Sequence, residues 1–238
     1  MAFSHSAGTT KVYCSGRDLS EYLRETSSSG EIDTADTSTF TSTVKTYIQG
    51  QSDATFSGEG IYDAAGTVGV DAVFNAAISA KQTVFQHFPA GDAIGAVGRG
   101  GGLAPTTKYE VKSPVEDVNQ ISFEVQSSTG FEPTITHQPK GAKTGGGTAS
   151  STVDAGAASA NGGAAYFQVF DLTGGTAVVR IQDSTDDSTY TDLALGTVVA
   201  GGSALRVPVT GAVKRYTRAT WAVTGGTATF HAAFARNP

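Results

Sequence analysis

The sequence predicts a mainly β protein: a sandwich or barrel with one flanking α-helix, followed by a C-terminal β-sandwich-like region. Three observations lead there. The composition is rich in Gly (30 residues of 238), Thr, Ser and Ala, and only 16% of residues are charged. That mixture suits short strands and turns more than long helices. A strict polar–apolar alternation recurs along the chain, with Ile121, Phe123 and Val125 set against Gln120, Ser122, Glu124 and Gln126 as its clearest case. Gly-Gly pairs at 174–175, 201–202 and 225–226 punctuate the last third, as hairpin turns do. The chain divides into residues 1–140, a Gly/Ala/Ser-rich stretch at 141–163 expected to act as a linker, and residues 164–238.

Taken in order, residues 1–10 are small and polar and read as an arm. Lys11–Ser15 is a short strand. Asp18 caps a predicted two-turn helix that carries Leu19, Tyr22 and Leu23 on one face. Arg24 to Thr41 is Thr/Ser-rich, either an exposed strand or a mobile loop. Val44–Gln49 is a strand. In 53–62 the positions Ala54, Phe56, Gly58 and Gly60 face one way, and Asp53, Thr55, Ser57 and Glu59 the other. Residues 71–80 give the best helix, with Val70, Phe74, Ala77 and Ile78 as its stripe. Strands follow at 83–88, 107–112 and 118–126, with 89–105 loop-like and Gly-rich. In the C-terminal part, strands are expected at 165–172, 176–183, 204–209, 215–223 and 227–235. Pattern alone leaves open whether this part stands by itself or completes the first.

Charge and motifs narrow the function. The net charge is −6, with −7 on residues 1–160 and +1 beyond. An acidic surface does not grip phosphates, so specific nucleic-acid binding is a poor fit, while a surface past which DNA slides remains open. The single cysteine, Cys14, forms no intrachain disulfide. Met1–Tyr13 lacks the apolar core of a signal peptide, and no stretch has the roughly 20 apolar residues of a membrane helix, so the chain is expected to stay soluble in a reducing cytosol. His5, His87, His137 and His231 lack ligand-like spacing. Gly98–Gly102 lacks the Gly-Lys-Ser/Thr ending of a phosphate loop. Asp183, Asp186, Asp187 and Asp192 offer oxygens to calcium but miss the EF-hand spacing and equally suit a tight turn. Cys14 has no neighbouring base, and no Gly-x-Ser-x-Gly elbow is present. The expectation is a non-enzymatic chain with no cofactor and no metal.

Several segments carry a resemblance. Gly16–Leu23, Asp33–Phe40, Tyr47-Ile48-Gln49-Gly50 and Asp53–Gly60 fall in an order similar to the "YIxG…DATxSxEG" arrangement of major tail (tail tube) proteins of long, non-contractile-tailed bacteriophages. Tyr109–Pro114, Val118–Ser127, Asp183–Tyr190 and Arg215–Ala219 also resemble segments of such proteins. The resemblance implies a β-sandwich or barrel flanked by a helix, six copies per ring with inner strands joined into one barrel, and rings stacked into a tube. It implies as partners further copies of the chain, a tape-measure protein in the lumen, tail terminator and distal tail proteins, and genomic DNA in passage. Assembly would take place in the host cytoplasm and the product would sit in the virion tail. In that setting Asp53, Thr55, Ser57, Glu59, Gln120, Ser122, Glu124 and Gln126 would face the lumen, although the same alternation describes an ordinary solvent face. The N-terminal arm and 27–43 would order when the next ring docks, or are simply mobile ends and loops. The alternative is another β-rich virion protein, either a capsid decoration or a tail-tip adhesin with Tyr190 and Trp221 stacking on sugars.

Overall fold

The computed structural model describes residues 9–39, 43–63, 69–79 and 83–237. The expected arm at 1–10 therefore lies almost wholly outside the described residues, as does His5. Fifteen strands and one helix are assigned: β1 (Lys11–Cys14), β2 (Arg17–Asp18), β3 (Leu23–Asp36), β4 (Tyr47–Ile61), α1 (Val70–Ser79), β5 (Thr83–Phe88), β6 (Val97–Ala104), β7 (Thr106–Lys112), β8 (Gln120–Gln126), β9 (Glu132–Thr148), β10 (Val153–Asp154), β11 (Gly163–Thr173), β12 (Thr176–Ser184), β13 (Thr191–Val198), β14 (Ser203–Val209) and β15 (Tyr216–Arg236). The protein is mainly β, as its composition requires, and every strand pairing is antiparallel.

Two sheets carry the architecture. An 11-stranded sheet runs β13-β12-β15-β9-β6-β5-β1-β2, with β11 and β10 also on β15 and β14 on β11. A four-stranded sheet runs β3-β4-β8-β7. Strands β1 and β5 are buried on both faces. On one side, Val12, Cys14 and Phe85 join Phe56, Ile121, Phe123 and Val125 of the small sheet and Val70, Val73 and Phe74 of α1. On the other, Tyr13, Val84 and Phe88 meet Tyr166 of β11 and Ala233 of β15. A third core, around Phe167, Val179, Ile181, Trp221 and Phe230, fills the C-terminal sandwich. The layers thus run from the small sheet, through β1–β5–β6, to the C-terminal strands.

Four sequence expectations are corrected. The Asp18 signal does not open a helix: Asp18 sits in β2, and its carboxylate accepts the backbone N–H of Ser20 at 3.0 Å. Leu19 then closes a turn through the Tyr22 N–H at 3.0 Å. The cap chemistry is present, but the chain turns into β3 instead of propagating. The Gly-rich stretch 89–105 contains a strand, β6. Residues 141–148, expected to be linker, complete β9 and pair with β15. There the indole of Trp221 covers Gly147 so closely that a β-carbon at 147 would lie 2.5 Å from it. Finally, Gly225–Gly226 is not a turn between two strands, because β15 runs through it. Its first half pairs with β12 and its second with β11, and the β11–β12 turn at Gly174–Gly175 packs into the bend. A β-carbon at Gly226 would sit 1.5 Å from the carbonyl oxygen of Thr173, so only glycine fits.

Three described histidines are buried in this framework, and they set its acid response. The imidazole of His137 contacts the Ile135 carbonyl at 2.9 Å through Nδ1 and the Thr217 hydroxyl at 2.7 Å through Nε2. The neutral ring satisfies both when Nδ1 donates and Nε2 accepts. Burial pushes His137 down to about 4, and burial lowers His231 and His87 as well. An unfolded histidine takes up its proton near 6.5, so between there and about 4 the unfolded chain binds protons that the folded chain refuses. Stability is therefore full above pH 6.5 and falls as pH drops, by about 3 kcal/mol from His137 alone. Asp154, held at about 2 by Arg215, loses its contribution only below the ordinary carboxylate range. Urea midpoints measured from pH 7.5 to 4.5 are expected to fall steadily, and less steeply in His137→Gln.

Candidate functional site

The eight residues singled out from the alternation converge on one face. In the small sheet Thr55 pairs with Gln126, Ser57 with Glu124, and Glu59 with Ser122, while Gln120 stands beside Ile61. Asp53 joins them through a 2.6 Å hydrogen bond from the Gln126 amide. Asp53, Glu59 and Gln126 are exposed and the other five are half-buried. The opposite face is fully apolar and buried: Ala54, Phe56, Ile121, Phe123 and Val125, with Phe74 of α1 stacked on Phe123 at 4.2 Å. Tyr109 of β7 also stacks on Phe74, at 5.4 Å, and its hydroxyl donates to Asp71 at 2.7 Å. The wet face is thus held rigid by an aromatic layer beneath it.

Sequence reading missed the flanks of this face. Register adds Glu25, Ser27, Ser29 and Glu31 from β3, opposite Glu59, Ser57, Thr55 and Asp53. It also adds Lys108, Glu110 and Lys112 from β7, opposite Glu124, Ser122 and Gln120. A signal existed in β7, where charges recur every second residue, but only the strand order reveals that they border this face. Six carboxylates stand against two ammonium groups, so the face is net acidic. A shallow trough of about 270 Å³ crosses its centre between Glu25, Glu59, Glu124, Lys108 and Lys112. Lys108 and Lys112 share the single carboxylate of Glu110, at 3.3 and 3.9 Å. Among the described residues both outer strands, β3 and β7, have one hydrogen-bonded neighbour each, and their other borders are open.

Beyond Glu31 and Asp53 the β3–β4 hairpin continues past the core. From the Ser29–Thr55 pair to the Asp36–Tyr47 pair it extends by roughly 25 Å. Ile32 (53%), Tyr47 (56%) and Ile48 (59%) are exposed there. The segment 24–41, open between strand and loop from sequence, is strand as far as Asp36, and residues 40–42 lie outside the described set.

The other candidate chemistries have local structural roles. Cys14 is buried and its thiol is pushed up to about 12 by desolvation, so it keeps its proton. Gly98–Gly102 lies within strand β6, with its glycines buried and Arg99 exposed. Each of the four aspartates has its own partner: Asp183 pairs with Lys214, Asp186 accepts the backbone N–H groups of Ser188 and Thr189, Asp187 accepts the Tyr190 hydroxyl, and Asp192 pairs with Arg180. Among the described residues no three His, Cys, Asp or Glu side chains cluster as metal ligands, and no helix is long and apolar enough to cross a membrane. Of the two proposed sugar-stacking rings, Trp221 is 8% exposed with Lys143 Nζ over it at 4.8 Å, and Tyr190 is covered by the Arg218 guanidinium at 3.7 Å. Trp221 is thus buried, and one face of Tyr190 is occupied.

No family model matches the chain, and no curated protein does. Among solved structures it is similar to a chain of a virion of a native gene transfer agent particle (16% identity, 55% of this chain, 98% of that one, TM-score 0.43). It is also similar to the Dit (gp 19.1) protein of phage SPP1 (10% identity, 97% and 100%, TM-score 0.37). A third likeness is to a chain of the phage p2 baseplate in its activated conformation (10% identity, 97% and 99%, TM-score 0.37). At these TM-scores none of them matches the whole fold closely.

Proposed function

We propose that this chain is a structural subunit of a bacteriophage tail tube, assembling into stacked, hexameric rings. One observation carries the reading: a four-stranded antiparallel sheet with a sealed apolar face, a net acidic wet face and two open borders. Four is an even number, so strand direction alternates without a break when copies follow one another around an axis, and β7 of one copy lies antiparallel to β3 of the next. Closure removes the open borders that would otherwise template aggregation. Six copies make a barrel of about 24 strands, roughly 48 Å across its backbone at a tilt near 40°, wide enough for duplex DNA.

In this reading the wet face, with Asp53, Thr55, Ser57, Glu59, Gln120, Ser122, Glu124 and Gln126, lines the lumen. Its carboxylates repel phosphate, so DNA slides without sticking. The tape-measure protein would occupy the same lumen during assembly, and tail terminator and distal tail proteins would close the ends. The C-terminal strands, on the far side of β1 and β5, would lie on the exterior as a second unit following residues 1–140. The projecting β3–β4 hairpin, with Ile32, Tyr47 and Ile48 exposed, would seat its apolar side chains on the next ring. No catalytic step enters this role, which would be carried out in the virion tail after assembly in the host cytoplasm.

Electron microscopy of the purified protein, combined with thiol accessibility, tests this. Hollow rods are expected. A Gln126→Cys variant should react with a maleimide carried on a bulky globular protein as the free chain but not in rods, while Thr197→Cys, exposed on β13, should react in both. Cys14 is buried and gives little background. Persistent monomers at high concentration, or rods in which position 126 still reacts, would overturn the reading.

A further inference from the structure

Charge is distributed unevenly between the two open borders. Strand β3 carries Glu25, Glu31, Asp33 and Asp36 against Arg24, a net of −3, and β7 carries Lys108 and Lys112 against Glu110, a net of +1. Within one copy this arrangement is uncomfortable. Glu25 and Glu59 are directly opposite each other across β3 and β4, a like-charge pair that weakens a sheet, and among the described residues no cation lies within ion-pair distance of either. At the other border, two ammonium groups divide one carboxylate. Each border holds what the other lacks.

Resting on the ring reading, we infer that β3 of each copy docks on β7 of its neighbour through an electrostatic key, in which Lys108 or Lys112 of one copy neutralises Glu25 and Glu59 of the next. The key also selects register. One row of the wet face runs Glu25–Glu59–Ser122–Glu110 across all four strands. A ring joined without stagger would set Glu25 beside the neighbour's Glu110, carboxylate against carboxylate. A closed barrel requires stagger, and side chains return to the same face every second residue, so the smallest allowed slip is two. A slip of two in either direction replaces Glu110 with a lysine. The interface is heterologous, an acidic border meeting a basic one, so it propagates around a ring in one sense and gives no two-fold dimer. Being half-exposed, it is also screened by salt.

Charge reversal tests the key. Lys108→Glu with Lys112→Glu should raise the protein concentration needed for rings or rods by about tenfold or more, while the free chain stays folded with a somewhat lower thermal midpoint, because a carboxylate at 108 would face Glu124 and both changes would surround Glu110 with like charge. Glu25→Lys with Glu59→Lys should do the same. Combining all four reverses both borders and should restore assembly. Wild-type assembly should weaken as sodium chloride rises. Charge-reversed variants that assemble at the wild-type concentration, or a folded fourfold variant that stays monomeric, would overturn the key while leaving the tube intact. A wild-type chain that forms neither rings nor rods would instead sink the tube reading itself.

Discussion

Replacing Gly100 with valine is expected to destabilise the protein by about 3 kcal/mol or more, a large fraction of the total stability of a marginally stable chain. The reason lies in how β6 is enclosed. Alternate glycines of this strand meet opposite layers. On one side a β-carbon at 98 would lie 2.3 Å from the Phe88 ring, one at 100 would lie 2.8 Å from Tyr166 Cζ, and one at 102 would lie 2.3 Å from the Arg206 stem. On the other side, a β-carbon at 101 would lie 2.8 Å from Phe56. Large rings from both neighbouring layers fill the volume that side chains of β6 would take. Valine at 100 must therefore displace a ring held by packed strands, or push β6 off β5 and β9. Position 146 supplies the contrast. It also lies in a strand and is glycine, but its nearest neighbour is the Trp221 carbonyl oxygen at 3.7 Å. Gly146→Val should leave the urea midpoint nearly unchanged. Adding Tyr166→Leu to Gly100→Val should recover part of the loss. A Gly100→Val protein with the wild-type midpoint would show that β6 is not enclosed as described.

That same enclosure explains what was legible in the sequence. β8 and β4 stand out because each is wet on one face and dry on the other, so the pleat writes period two into residue type. In β6 the neighbours' side chains fill the space at 98, 100, 101 and 102, so those positions shrink to glycine, larger side chains survive mainly at the exposed positions 97, 99 and 103, and the run mimics a loop. The end of β9 disappears for a related reason: Gly147 makes room for the Trp221 ring, and Lys-Thr-Gly-Gly-Gly reads as spacer. In β15 the Gly225–Gly226 signal correctly marks a sharp bend, but a bend in a strand shared by two halves of a sandwich looks identical, in one dimension, to a hairpin. The candidate face was half legible. Its central strands alternate openly, while the borders that give it a partner, β3 and β7, acquire meaning only from strand order. Glu25 and Lys108 carry no local mark of lying at opposite edges of one sheet.

Removing the Arg206 guanidinium should cost about 3 kcal/mol, the scale for stranding one member of a largely buried ion pair. Arg206 on β14 and Glu132 at the start of β9 form a bidentate pair: Arg206 Nε donates to Glu132 Oε2 at 2.8 Å and Nη2 donates to Oε1. The side chains are only 19% and 13% exposed, and the Tyr166 hydroxyl donates to the same carboxylate. The pair does more than neutralise charge. The Arg206 stem lies over Gly102 of β6, so one side chain joins β14, β9 and β6, at the place where the C-terminal strands meet the N-terminal layers. Gln168 fastens a neighbouring point of the same boundary, accepting the Gly16 N–H at 2.7 Å and donating to the Val84 carbonyl at 3.2 Å. Arg206→Lys keeps the charge but loses the fork and should recover only part of the stability. Arg206→Met strands Glu132, so Arg206→Met combined with Glu132→Gln should be less damaged than the sum of the single changes, because the second substitution discharges the orphaned carboxylate. Urea unfolding of the three variants and the wild type closes that cycle. Strict additivity would mean that the two groups do not act on each other, and that this pair adds nothing to the backbone ladders, apolar packing and Gln168 contacts that hold the C-terminal strands to the rest of the fold.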